Sequence, residues 1–335
     1  MKKTIFNILR IAVSLGLIIF LISYLDLKKI GDTASLIWTQ HPIYLPIIIL
    51  GGLLLMILEA YRLQQVLQIQ GIRLPLPRLT RYCFIGIFFN NILPTSIGGD
   101  IAKGFYIARD TGKKTEPFVA LAVVRIIAAV CLTAVTVIAL AFGYHQLPNS
   151  TPIYMVAFML LAVVFAIIFF TNRRLAVKFL IVLKPFKNKA LRKKIIAVYR
   201  LFHSHRQAPR KLCLAAGASL GIQFLYISVN FLVARGMNFR NIDFAAFFIL
   251  VPLIGVTTMV PSIGGLGIRE GMYLYFFSSL IGEDGAGALG LIMLVLVIAM
   301  ALTGGIIFAI SGSLRKARPE PLGEDEVLKD GLRTG

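Results

Sequence analysis

Pro94-Thr95-Ser96-Ile97-Gly98-Gly99-Asp100, continued by Ile101-Ala102-Lys103-Gly104, lies between two apolar runs, where a plain membrane helix should not break. Pro94 removes a backbone donor, and the glycines weaken any helix drawn through them. The stretch has an echo: Pro261-Ser262-Ile263-Gly264-Gly265-Leu266, followed by Gly267-Ile268-Arg269-Glu270-Gly271. Both copies read Pro, Ser, Ile, Gly, Gly, then a cation, then Gly, and they lie about half the chain apart. Paired Gly/Pro breaks in corresponding halves point to a binding site near the bilayer midplane.

The rest of the composition agrees with a membrane setting. Of 335 residues, 58% are hydrophobic and only 15% charged, with a mean hydropathy of +0.83. Globular domains carry about 25% charged residues. Several apolar runs reach about 20 residues, enough to cross a hydrocarbon core about 30 Å thick. Short alternating segments, the mark of a membrane β-barrel, are missing. The expected fold is an all-α polytopic membrane protein with about six full transmembrane helices and two re-entrant broken-helix hairpins forming an inverted repeat. The net charge of +20 does not call for nucleic acid, because the cations are confined to particular loops and set orientation in the membrane. Basic loops also attract anionic lipid headgroups. Cys83, Cys131 and Cys213 show neither metal spacing nor a disulfide framework. Lys2 and Lys3 precede an apolar run that no small-residue cleavage site ends, so 5–25 reads as an uncleaved first span.

Loop charges give the sidedness. Further spans are expected at 43–60, 117–143, 152–171, 212–234 and 286–310, with a short loop at 26–42. The first broken unit, 82–110, has Arg73, Arg78 and Arg81 before it and Lys113 and Lys114 after it. Pro75 and Pro77 are expected to hold off any helix before Tyr82. The positive-inside rule places both ends of this unit in the cytoplasm. The second unit, 244–281, ends in Glu283 and Asp284, ahead of a final span followed by Arg315, Lys316 and Arg318. That order places both of its ends outside. The segment 172–211 holds 13 Lys and Arg and no acid, with Leu191, Ile195, Val198 and Phe202 at helical spacing. It reads as an interfacial amphipathic helix on the inner leaflet. One transmembrane domain is expected over 1–312. The tail 313–335 is rich in charge, Pro and Gly and reads as a disordered cytoplasmic segment.

The chemistry expected of the breaks is anion binding. A helix that starts near Gly98 or Gly99 offers free N–H groups and about half a positive charge. Gly98, Gly99, Gly264 and Gly265 allow close approach, and Ser96 and Ser262 can cap. Two such starts facing each other would make a phosphate-sized site. Glycines that only tighten helix packing are the structural alternative. Asp100, Lys103, Arg125, Arg269 and Glu270 are ionisable residues at membrane depth, where such residues are expensive. Arg125 lies about 12 Å inside its span. Lys103, Arg125 and Arg269 are candidates to hold a lipid phosphate. Asp100 or Glu270 would meet a cationic headgroup or carry a coupling proton. The local alternatives are an Asp100–Lys103 pair, an Arg125 that snorkels inward, and an Arg269 and Glu270 that pair with other side chains. Asn90 and Asn91, with Pro94 and Pro261, belong to the breaks themselves, where freed backbone groups need partners. No catalytic triad, P-loop or metal-ligand spacing is present, so no catalytic residue, metal or cofactor is assigned.

Asn91-Ile92-Leu93-Pro94 with Gly98, Gly99, Asp100 and Lys103, together with Pro261, Gly264, Gly265, Gly267, Arg269, Glu270 and Gly271, resembles the lysylphosphatidylglycerol synthase transmembrane region, or flippase-like domain, from about 5 to 312. The resemblance implies a bacterial inner-membrane protein that moves an anionic or phosphate-bearing lipid between leaflets, and the loop charges place both termini in the cytoplasm. Aminoacyl-phosphatidylglycerol and polyprenyl-phosphate-linked lipids are among the implied classes. Bifunctional relatives carry a soluble aminoacyltransferase domain, so the chain is alternatively the membrane part of a lipid-modifying transferase, with a separate soluble transferase as partner. A small-solute or ion transporter is the third reading. The family often places acids beside the intramembrane arginine. Here Val124 precedes Arg125, and Ala128 and Ala129 follow it.

Overall fold

The computed structural model describes residues 27–92, 97–143, 151–171, 208–239, 242–257 and 267–313. The expected first span at 5–25, the break residues 93–96 and 258–266, nearly all of the basic segment 172–211 and the tail from 314 onward lie outside the described residues.

Among the described residues the regular elements are all α-helices: α1 (Leu27–Thr39), α2 (Tyr44–Ile69), α3 (Leu76–Ile92), α4 (Gly98–Thr111), α5 (Glu116–Gly143), α6 (Thr151–Thr171), α7 (Pro209–Gly236), α8 (Phe244–Thr257) and α9 (Ile268–Ser313). Tyr44–Ile69, Glu116–Ala141, Pro209–Gly236 and Ile268–Ile310 are long and apolar enough to cross a membrane. Large apolar side chains such as Leu50, Phe158, Leu161, Val295 and Ile306 stay exposed, as a hydrocarbon solvent permits. The chain is a multi-pass α-helical membrane protein. α3, α4 and α8, of 17, 14 and 14 residues, are each shorter than the ~20 residues a crossing needs.

Three local readings differ from the sequence expectation. The segment 26–42 contains α1 rather than only a loop, and its buried Ile37 sits against Gly236 near the end of α7. α3 begins at Leu76, ahead of Tyr82. Pro77 falls in its first turn, where a missing N–H is tolerated. Between the second broken unit and the last span the sequence suggests a loop at 282–285. The structure turns there through Gly282 alone (φ 75°, ψ 165°), and the helix resumes at once.

With no water to drive apolar faces together, membrane helices associate through close contact of small residues. α2 and α7 share a long seam, in which a Cβ on Gly51 would come 2.6 Å from Val229. They also end alike. Ile72 N–H donates to Leu67 O past Gly71 (φ 69°), and Phe239 N–H donates to Ala234 O past Asn238 (φ 70°). Both are helix stops through a left-handed residue, the conformation Gly and Asn accept most readily. α3 packs on the second half of α9, where Gly304 and Gly305 lie against the Phe84 carbonyl and the Phe88 ring. α8 packs on α5.

Two apolar cores result. One gathers Leu63, Leu67, Leu79, Ile85, Ile107 and Val124 from α2 to α5. The other gathers Phe247, Leu253, Tyr273, Phe276, Phe277 and Leu289 from α8 and α9, with Val233 of α7. The arms that flank each break are therefore held by a core of their own.

Candidate functional site

At the first break the chain leaves α3 and starts α4 at Gly98. Asn90 Oδ1 accepts the Gly99 N–H at 2.7 Å, so α3 caps α4 across the hairpin. Asn91 donates to the Ile87 carbonyl at 2.8 Å within its own helix. Gly99 has no alternative: a Cβ there would run into the Gly86 carbonyl oxygen and lie 2.6 Å from the Asn90 amide carbon. The arms thus meet backbone to backbone. The Lys103 side chain crosses α3 at Gly86, where a Cβ would come 3.0 Å from its methylene carbons.

That crossing delivers Lys103 to two carboxylates. Its Nζ lies 2.8 Å from Glu59 Oε1 on α2 and 2.9 Å from Asp100 Oδ1 one turn back on α4. Asp100 Oδ2 accepts from Arg125 Nε of α5. The residue Lys103 is 6% exposed, whereas the side chain of Arg125 is 47% exposed. Arg62, one turn after Glu59, flanks the same carboxylate. Its Nη1 donates to Ser219 Oγ of α7 at 3.4 Å, and its buried Nε finds no acceptor among the described residues. Charges therefore alternate along Arg125, Asp100, Lys103, Glu59 and Arg62, drawn from α5, α4 and α2.

The order of partners has a chemical consequence. An incoming anion can take Arg125 from Asp100 without orphaning a carboxylate, because Asp100 keeps Lys103. Lys103 in turn keeps Glu59. A buried charge that loses its last partner is strongly penalised, and this arrangement avoids that at its exposed end. Lys103, by contrast, is enclosed by the protein's own acids.

The second break is built differently. α9 starts at Ile268, and the Gly267 N–H donates to Glu270 Oε2 at 2.7 Å. Glu270 sits at the third helical position and reaches back to the residue before the helix, the acidic half of a capping box. Its Oε1 accepts from Arg269 Nε at 3.0 Å and Nη2 at 2.8 Å. Both residues are buried. Below them Tyr273 donates to Asn230 Oδ1 at 2.5 Å, and Asn230 donates to the Tyr226 carbonyl at 2.8 Å. The expected echo of Lys103 in Arg269 needs a different register. Ile101, Gly104 and Tyr106 match Ile268, Gly271 and Tyr273 at the same spacing, which sets Lys103 opposite Glu270.

Of the sequence candidates, Asp100, Lys103 and Arg125 come together, Gly98 and Gly99 are buried beside them, and Arg269 and Glu270 form a pair on α9. Pro94, Ser96, Pro261, Ser262, Gly264 and Gly265 lie outside the described residues. Glu59 and Arg62 are the additions. Their signal in the sequence is an acid and a base in the last turns of an apolar span, which local spacing reads as an internal pair. Each also makes its hydrogen bond to another helix.

The ends of the first unit that lie away from the break carry their own ties. Tyr82 donates to Asp110, which also faces Arg78 at 3.8 Å, and Tyr82 stacks on Tyr106 with centroids 5.4 Å apart. Lys113 Nζ donates to the Gln70 carbonyl at 2.8 Å, a cation at a helix C-terminus.

No curated protein and no solved structure matches the chain. The family model of the lysylphosphatidylglycerol synthase TM region matches residues 7–316. The chain belongs to that family.

Proposed function

We propose that this member of the lysylphosphatidylglycerol synthase TM-region family moves a lipid with an anionic, phosphate-bearing headgroup between the leaflets of a bacterial inner membrane. The first break is the headgroup seat. Arg125 contacts the phosphate, Asp100 is the carboxylate the phosphate displaces, and Lys103 and Glu59 position Asp100. One observation carries the reading: a row of alternating charges at a helix break, buried at Lys103 and half exposed at Arg125.

The packing fits an inverted repeat of two re-entrant units, with α3 on the second half of α9 and α8 on α5. In such a repeat α2 and α7 are counterparts, and their like endings fit that pairing. Alternating access around a fixed midplane site is the usual use of such an architecture. Loop charges favour cytoplasmic termini, with the first unit entered from inside and the second from outside. The family description also supports a second reading, in which the chain is the membrane part of a lipid-modifying transferase and hands lipid to a separate soluble enzyme.

The test is transport by the purified full-length protein in liposomes that carry tail-labelled phosphatidylglycerol. Movement between leaflets is expected, and Arg125→Gln should slow it at least about tenfold, the equivalent of ~1.4 kcal/mol, while the variant stays folded. Wild-type protein that moves no anionic phospholipid overturns the reading. An unchanged rate in Arg125→Gln removes Arg125 from the seat.

A further inference from the structure

We propose that Glu59 and Arg62 set the charge of the headgroup the first break accepts: one negative charge, as on a phosphodiester, and not the two of a phosphomonoester. The inference rests on the first break being the headgroup seat.

The row holds two carboxylates, Glu59 and Asp100, and three cations, Arg62, Lys103 and Arg125. The carboxylates are joined through Lys103, at 2.8 and 2.9 Å, and Asp100 also takes Arg125. Arg62 has a weaker set of partners. It flanks Glu59, makes one long donation to Ser219 and keeps a buried Nε without an acceptor among the described residues. The cluster therefore carries one surplus positive charge. Charge inside a membrane protein is costly unless compensated. A monoanion on Arg125 brings the row to neutrality, and a dianion leaves it negative. A phosphomonoester carries about −1.5 to −2 at pH 7, whereas a diester has only one acidic oxygen to ionise. Glu59 keeps the surplus at one rather than two, and Arg62 keeps it at one rather than zero. Neither residue has to touch the headgroup to do so. They are specificity-determining residues acting through Lys103 and through the field across the site.

The test compares two tail-labelled lipids, phosphatidylglycerol and phosphatidic acid, in phosphatidylcholine vesicles at pH 8, where the monoester is a dianion. Wild-type protein should move phosphatidylglycerol at least about tenfold faster, and Glu59→Gln should cut that preference about tenfold. Arg62→Gln should lose phosphatidylglycerol movement to a similar extent, and Arg62→Lys, which restores the charge on a different shape, should recover it. If Glu59→Gln does not fold, as judged by its elution as a monodisperse species, the two Arg62 variants carry the test alone. Equal rates for both lipids in the wild type, or an unchanged preference in a folded charge variant, overturn this inference and leave lipid movement standing. Wild-type protein that moves neither lipid overturns the transport reading instead. Soluble glycerophosphoglycerol added in excess should leave lipid movement within about twofold of its rate. Its transport in place of the lipid would assign the site to a free diester and overturn the lipid source.

Discussion

Asp100 and Glu270 each occupy the third position of a helix that starts at a break, and the protein uses them in opposite ways. Glu270 folds back on its own turn, capping Gly267 and accepting from Nε and Nη2 of Arg269. Asp100 leaves its own helix start to Asn90 and turns outward to Lys103 and Arg125. The first arrangement ties α2, α3, α4 and α5 together and leaves a cation half exposed. The second makes its hydrogen bonds, among the described residues, within one turn of one helix. A helix start satisfied by its own acid has less to offer a phosphate, whereas one whose acid is held by an exposed arginine can exchange it. The two breaks resemble each other in sequence but differ in what they leave available.

The largest effect that separates them concerns the removal of charge. Lys103→Met leaves the part-buried Glu59 and Asp100 without the cation between them, and should cost about 3–5 kcal/mol of stability. Removing both charges of the second pair, with Arg269→Met and Glu270→Gln, strands nothing, and Gln still offers an acceptor to Gly267. That double variant should stay within about 1 kcal/mol of wild type, as neutral replacements of a whole buried pair often do. Unfolding in mixed detergent micelles measures both. Equal losses would show that the second pair, too, is tied to groups beyond α9.

This asymmetry is only partly legible in the sequence. Gly98, Gly99, Asp100 and Lys103 stand out because Gly, Pro and charge inside an apolar run are locally conspicuous, and the helical class follows from the apolar runs. The partners do not stand out. Glu59 and Arg62 are spaced to pair within α2, yet the long Lys103 side chain passes over Gly86 and takes Glu59 from another helix. The family pattern suggests an acid beside Arg125 on the same helix. Val124, Ala128 and Ala129 stand there instead, and Asp100 supplies the carboxylate from α4. Glu270 looks like a free intramembrane acid because the residue that opens its capping box is Gly267, not the Ser, Thr, Asp or Asn that marks such a box in a sequence. At the first break tertiary geometry, not local spacing, chose the partners; at the second the partners are local, and only the residue type that would mark them is missing.

The backbone contact at the first break gives the next prediction. Gly99→Ala forces a methyl group against the Asn90 side-chain amide and into the Gly86 carbonyl, and the carbonyl cannot move without displacing α3. Overpacking of this kind costs typically ~1–3 kcal/mol. It should also loosen the cap that Asn90 provides. Trypsin cleavage at Arg109, on the α4 arm, should then become faster in the folded variant. A loss well under ~0.5 kcal/mol would show that the arms separate easily, and that their contact is not what holds Lys103 between its two acids.

The smallest effect should have the opposite sign at the two breaks. Gly104 and Gly271 occupy the same place in the matched stretches 101–106 and 268–273. A Cβ on Gly104 would come 2.6 Å from the Phe118 ring of α5, whereas one on Gly271 meets nothing within 4 Å among the described residues. Both positions are helical, so Ala gains up to ~1 kcal/mol over Gly in each from backbone entropy alone. At Gly271 that gain stands unopposed, and Gly271→Ala should raise the midpoint of unfolding. At Gly104 the ring has to shift, and Gly104→Ala should lower it, because the clash outweighs a gain of that size. Stabilisation at both positions would mean that Phe118 swings away at little cost and that α4 is less tightly seated on α5 than α9 is on its own core. The Asp100–Arg125 contact, which bridges that same α4–α5 seam, would then be held by charge rather than by packing.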